Sequence, residues 1–227
     1  DCYEMAGTPT RADFFQLPFN HRADRLSVPE WTKDAVVYNI FPDSFADGFR
    51  TLSGGSDGKT GLGGTIRGVT ENLDYIASMG FNCIYLNPIF AAESYHRYDT
   101  LDYYQVDPHM GSKEDVRALV EKAHSLGIRV LLDGVFNHTG SNSRYFNAEG
   151  FYPELGAAQS QDSLYFDWYS FHPWPTDYDA WWGVRTLPAV NEEAPTYRDF
   201  IVRSQDSVVR HWLRQGADGW RLDVADE

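Results

Sequence analysis

Three times along this chain an apolar strand gives way to an amphipathic helix that stops at a glycine, and that rhythm restricts the fold more than any other feature. "KDAVVYNIFPD" (33–43) is followed by "TIRGVTENLDYIASMG" (65–80), with Ile66, Val69, Leu73 and Ile76 at helical spacing and Gly80 closing the helix. "FNCIYLNPIF" (81–90) alternates little, as a strand buried on both faces should. It leads to "SKEDVRALVEKAHSLG" (112–127), where Ser112 is the N-cap, Asp115 makes an acidic first turn, and Val116, Leu119, Val120 and Ala123 form the buried stripe. "IRVLLDGVFNH" (128–138) is a third strand, and a helix is predicted over 194–216, from Pro195 to Gly216. A fourth strand, "GWRLDVADE", ends the 227 residues. Alternation of this kind implies parallel strands joined by right-handed crossovers, the start of either a doubly wound sheet or a (β/α)8 barrel.

One segment breaks the rhythm. Residues 139–190 are rich in aromatics ("LYFDWYSFHPWP", "YDAWWG") and carry no clear helix. An insertion that long after a strand's C-terminal end is a functional loop or a small domain, and in a barrel it rises from the active-site face. Trp174, Trp181 and Trp182 are its candidate flat binding faces, against the plainer expectation that they fill the segment's own core.

Composition excludes some partners. With 19 basic and 33 acidic residues the net charge is −14, which disfavours nucleic acid and anionic membranes. No stretch approaches the ~20 apolar residues of a membrane span. Cys2 and Cys83 make no disulfide framework, and Cys83 reads as a small buried hydrophobe. The start, "DCYEMAGTPT", resembles neither a signal peptide nor an initiator sequence. The expected compartment is cytoplasmic, with secretion left open.

Chemistry-bearing residues gather at the strand ends. Arg221 and Asp223 share one face of the last strand, so the cation can hold the carboxylate ionised and aimed. In "DGVFNH" (133–138), His138 could donate to a sugar hydroxyl and Asn137 could brace a loop or a cation. In "YHRYDT" (95–100), Tyr98 offers a flat face to a pyranose, His96 a hydrogen bond, and Asp99 an anchor for the loop. Each is weak alone; their placement at successive strand ends on one face carries the weight.

Together "YNIFPDSFADG", "YLNPIF", "YHRYDTLDYYQVDPHMG", "GIRVLLDGVFNH", "LPAVN" and "GWRLDVADE", in this order, resemble glycoside hydrolase family 13, the α-amylase family, over residues 34–227. The branch most similar is the neopullulanase and cyclomaltodextrinase group. The resemblance implies the first half of a (β/α)8 barrel: a connector over 1–33 from an N-terminal domain, strands 1–3 within 34–138, an inserted domain over 139–190, and helix 3 with strand 4 over 191–227. It implies a retaining hydrolase of α-1,4 or α-1,6 glucosidic bonds in maltooligosaccharides, cyclodextrins, pullulan or starch. By motif, Asp223 is the nucleophile, Arg221 its orienting partner, His138, His96 and Tyr98 sugar contacts, and Asp99 and Asn137 supports.

The family's general acid, a Glu after the fifth strand, and its stabilising Asp after the seventh both lie beyond Glu227. The chain alone is therefore expected to be inactive, with its open face covered by the rest of the barrel or by a second copy. That face is expected to be apolar, and leaving even ~400 Å² of it wet would cost about 10 kcal/mol at ~25 cal/mol per Å². No cofactor is implied. Many relatives hold calcium after "FADG", but Phe49 stands where an oxygen ligand would help, which weighs against calcium here. The competing reading is a non-catalytic, amylase-like sugar-binding or interaction protein. A nucleotide-binding sheet lacks its phosphate loop here.

Overall fold

The structure, a computed structural model, describes residues 2–3, 14–15, 27–47 and 61–225. The chain forms two compact units, Asp1–Ala35 and Val36–Glu227. In the first, β1 (Cys2–Tyr3) pairs antiparallel with β2 (Phe14–Phe15), and Glu30–Asp34 makes a 3-10 turn. Most of the stretch expected to be a connector lies outside the described residues.

The second unit holds the sheet. β3 (Val37–Ile40), β4 (Cys83–Leu86), β7 (Arg129–Gly134) and β8 (Gly219–Leu222) lie side by side in that order, all parallel. Asn39, Tyr85, Leu131 and Gly219 stand abreast across it. Pleating sends Ile40, Ile84, Leu86, Val130 and Leu132 to one face, where each is at most 1% exposed. Against that face pack Ile66 and Val69 of α1 (Ile66–Glu71), Ile76 of α2 (Leu73–Ser78), and Leu119 and Val120 of α3 (Lys113–Ser125). Four parallel strands with their helices on one face are the first half of a (β/α)8 barrel.

α3 begins where its sequence signals it. Ser112 accepts a hydrogen bond from the Asp115 backbone while the Asp115 carboxylate accepts one from the Ser112 backbone. The other helices depart from expectation. The run over 65–80 splits at Asn72, whose side-chain amide donates to the Gly68 carbonyl at 2.8 Å and competes with the helical ladder. The single helix predicted over 194–216 is three pieces: α4 (Pro195–Arg198), a π turn over Asp199–Arg203, and α5 (Val208–Arg214). Between them Ser204 is extended and the Ser207 hydroxyl caps α5, so the polar run 204–207 restarts the helix.

The strand predicted over 81–90 also divides. Pro88 has no amide proton for a ladder, and the chain leaves the sheet after Leu86. β5 (Phe90–Ala92) then pairs antiparallel with β6 (Thr100–Val106), and "YHRYDT" forms the loop of that unforeseen hairpin.

Residues 139–190 carry 3-10 turns at Phe166–Trp168 and Trp181–Gly183 and isolated bridges such as Ala180 with Pro188. Their aromatics join the main core: Tyr145 stacks on Tyr103 of β6 at 5.7 Å, and Trp168 meets Tyr197 of α4 at 5.0 Å. No helix among the described residues is long and apolar enough to cross a membrane.

The interior expected to be bare and apolar is mixed: Val37, 46% exposed, and Leu131 lie on that face together with polar groups. On the face away from the helices, Asn39, Tyr85, Asp133 and Arg221 follow one another toward the carboxyl ends of the strands. The apolar side chains of "VVYNIF" and "YLNPIF" that matter most, Ile40 and Leu86, point into the helix layer instead.

Candidate active site

Parallel register brings the site together. β7 and β8 pair so that Asp133 lies opposite Arg221. Arg221 Nη1 donates to Asp133 Oδ1 and Oδ2 at 3.1 and 3.4 Å, and also to Asp223 Oδ1. Asp223 is fixed through its backbone as well, its amide donating to the Gly134 carbonyl at 3.0 Å just beyond the strand. At Val224 the chain turns through a positive φ of 48°, ending the extended run that would have carried residue 224 along the strand.

Behind Arg221 stands a polar network. The Tyr85 hydroxyl donates to Asp133 Oδ2, and the Tyr98 hydroxyl donates to the same oxygen at 3.3 Å. Asn87 Nδ2 donates to the Tyr98 hydroxyl at 2.9 Å, and Asn39 Nδ2 to Asn87 Oδ1 at 3.0 Å. Burial raises the Asp133 pKa, against the Tyr85 hydrogen bond and the Arg221 charge that lower it. Burial, then Asp133, pushes Tyr85 and Tyr98 up, so both phenols stay protonated donors. Burial alone would weaken the Arg221 charge, but the Asp223 hydrogen bond and Asp133 outweigh it and raise its pKa. Asp133 is thus a buried anchor, its side chain 0% exposed, and Asp223, 15% exposed, is the carboxylate turned outward.

The remaining sequence-predicted residues join from the flanking loops. His138 is 1% exposed, and its Nε2 lies 3.1 Å from the Tyr98 carbonyl oxygen, which requires that nitrogen to be the donor. Its ring stacks on Trp181 at 5.5 Å. His96 Nδ1 accepts from the Tyr98 amide at 3.2 Å and lies 3.0 Å from Ser94 Oγ. Asp99 accepts from the Ser94 amide at 3.0 Å and from its hydroxyl, which ties the hairpin loop to itself. The Asn137 backbone carbonyl accepts from the Val190 amide at 2.9 Å, while its side-chain Oδ1 is buried with no hydrogen-bond partner among the described residues. Trp174 stands apart, its Nε1 donating to the Ala157 carbonyl.

Asp133, Tyr85 and Asn87 were missed as site residues in the sequence. The available signal was parity: Tyr85 and Asn87 alternate on one face of an apolar run, and Asp133 interrupts another opposite an arginine. No group of three or more His, Cys, Asp or Glu that could hold a metal occurs among the described residues. Phe49, on which the calcium expectation rests, lies outside them. Chemically, the arrangement offers an aimed, partly exposed carboxylate on a cation, with the Tyr98 hydroxyl on the same Asp133 anchor as that cation.

Comparison with known proteins gives the family and the fold. The family described as "Alpha amylase, catalytic domain" matches residues 39–227. The chain is similar to a cyclomaltodextrinase of Geobacillus thermopakistaniensis, 39% identical over 241 residues that cover 99% of this chain and 39% of the relative. It is similar to an intracellular maltogenic amylase of Bacillus subtilis, 38% identical over 227 residues, 94% of this chain and 37% of that one. Among solved structures it resembles the cyclic α-maltosyl-(1→6)-maltose hydrolase of Arthrobacter globiformis, with a TM-score of 0.73 and 34% identity over 88% of this chain and 46% of that chain. The chain thus spans about two-fifths of the length of these two curated relatives.

Proposed function

Because the chain belongs to the α-amylase family of glycoside hydrolases, we propose that it carries the nucleophile side of a retaining α-glucan hydrolase, with Asp223 as the nucleophile. The observation that carries this reading is Asp223 held on Arg221, which is itself anchored on buried Asp133. In the first step Asp223 forms a bond to the anomeric carbon as the glycosidic carbon–oxygen bond breaks. The leaving oxygen takes a proton from a general acid, which the family resemblance assigns to a segment after the fifth strand. Water, giving a proton to the now-deprotonated acid, then attacks the anomeric carbon and breaks the glycosyl ester, restoring the carboxylate and the acid. Arg221 orients Asp223, Tyr98 offers its ring to the sugar, and His96 and His138, which contact Tyr98, are assigned to hydrogen bonds with sugar hydroxyls.

The substrates this supports are α-1,4- and α-1,6-linked maltooligosaccharides and cyclic glucans, since one relative is named a cyclomaltodextrinase and the structural neighbour a hydrolase of a cyclic (1→6)-linked maltose. The reading also assigns 139–190 as the inserted wall of the cleft, and further barrel strands or a second copy as cover for the free edges of β3 and β8. A fluorinated α-glucosyl donor that accumulates the glycosyl-enzyme is the test. Labelling of the peptide containing Asp223, and loss of both label and turnover in Asp223→Ala, is expected. A label on another carboxylate would overturn the assignment.

A further inference from the structure

Trp182 is 80% exposed, the most exposed tryptophan among the described residues to show a fixed stacking partner on its inner side. It sits in the left-handed region, φ 49° and ψ 27°, followed by Gly183 at φ 75°. A bulky residue rarely adopts that conformation unless its surroundings impose it. Here they do. Trp181 donates to the Leu187 carbonyl, Gly183 to Ala180, Val184 to Trp181 and Leu187 to Val184, all within 3.0 Å. Arg185 clamps the loop from outside, its guanidinium 3.8 Å from the Tyr178 ring centre and its Nη1 2.9 Å from Asp177.

The rings behind Trp182 lead to the site. Trp182 stacks on Trp181 at 5.4 Å and 21°, and Trp181 stacks on His138 at 5.5 Å and 29°. His138 bonds the Tyr98 carbonyl, and the Tyr98 hydroxyl bonds Asp133. An indole is thus held rigidly outward, its inner face filled by Trp181. A flat apolar face fixed outward matches the C–H face of a pyranose, and a preset ring loses little freedom on binding. Trp168, by contrast, is 2% exposed and spends its faces on the core.

We propose that Trp182 is a stacking platform for an outlying glucose unit of an α-glucan, so that it sets the preference for longer chains over short ones. This rests on the function proposed above but is tested apart from it. Binding of maltotriose and maltoheptaose would be measured by calorimetry in the full protein carrying Asp223→Asn, with and without Trp182→Ala or Trp182→Phe. Trp182→Ala is expected to weaken maltoheptaose about three- to tenfold while leaving maltotriose within about twofold, and Trp182→Phe to retain most of the affinity. Equal weakening of both sugars, no weakening of either, or no binding by the parent would overturn the proposal. So would a change of oligomeric state in Trp182→Ala with sugar affinity intact. Thermal melting controls for folding. Turnover of maltoheptaose by the unsubstituted protein reads the underlying function independently.

Discussion

Replacing Arg221 with methionine should expose what Asp133 is for. Arg221 Nη1 stands 3.1 Å from Asp133 Oδ1, and at an effective dielectric of ~20 two unit charges at that distance attract by about 5 kcal/mol. The Arg221 side chain is 42% exposed, so water screens the pair and about half that figure is a fair expectation. With the cation gone, Tyr85 and Tyr98 still donate to Asp133, but a carboxylate with no exposed surface would lie uncompensated. Arg221→Met should therefore cost about 2–3 kcal/mol of stability at pH 8.

The cost should also depend on pH, with a definite sign. Burial already raises the Asp133 pKa above its ordinary value, and removing Arg221 takes away a lowering influence, so the folded-state pKa rises further. A carboxylate whose folded pKa lies above its unfolded value binds more protons when folded, so stability falls as pH rises between the two. Urea unfolding of Arg221→Met should thus show a smaller deficit at pH 5 than at pH 8. The double variant Arg221→Met with Asp133→Asn should recover much of the loss while remaining inactive. A deficit below about 0.5 kcal/mol, a deficit indifferent to pH, or a double variant no more stable than the single one would refute the anchor argument.

Two further predictions concern stability away from the site. Asp218 accepts hydrogen bonds from His124 at 2.7 Å, Arg129 at 2.8 Å and the Val130 amide at 2.9 Å. Burial alone would raise its pKa, but these partners outweigh burial and lower it, so its contribution is present above the unfolded value near ~3.9 and is lost as pH falls through the folded one. Asp218→Asn should lower stability by about 1–2 kcal/mol at pH 7, given partners 38% and 46% exposed, and the gap to the parent should narrow in thermal melts as pH falls below the unfolded value of ~3.9. Ser112→Ala removes the cap of α3 and should cost about 1 kcal/mol by urea unfolding; a neutral result would show the capping box to be incidental.

What could be read from the chain depended on whether a residue's signal was local. The α3 start was legible because Ser112 and Asp115 satisfy each other within one turn. Arg221 and Asp223 were legible because two residues along a strand share a face. The break at Ser204–Ser207 was hidden because apolar residues on both sides keep helical spacing through it, and the caps inside "SQDS" were outvoted by that periodicity. The β5–β6 hairpin was hidden because Phe90 continues the apolar run of β4, and only the missing amide of Pro88 marks the departure. Asp133, Tyr85 and Asn87 needed cross-strand register, which no single segment contains.

Register also decides where the unpartnered surface lies. The face opposite the helices carries Asn39, Asn87, Tyr85 and Arg221 bonded to one another or to Asp133, groups that water can meet at little cost. Unpartnered apolar surface remains at Val37 of β3, 46% exposed, and also beside β8 on the helix side. There Leu222 is 56% exposed and Val202 52%, and a hollow of about 310 Å³ opens among Phe136, Tyr197, Ile201 and Val209. Asp223 and Asn137 line the same hollow. A side chain packed into it would touch the turn that follows the proposed nucleophile, while Asp223 itself is already held by Arg221 and by its amide on the Gly134 carbonyl.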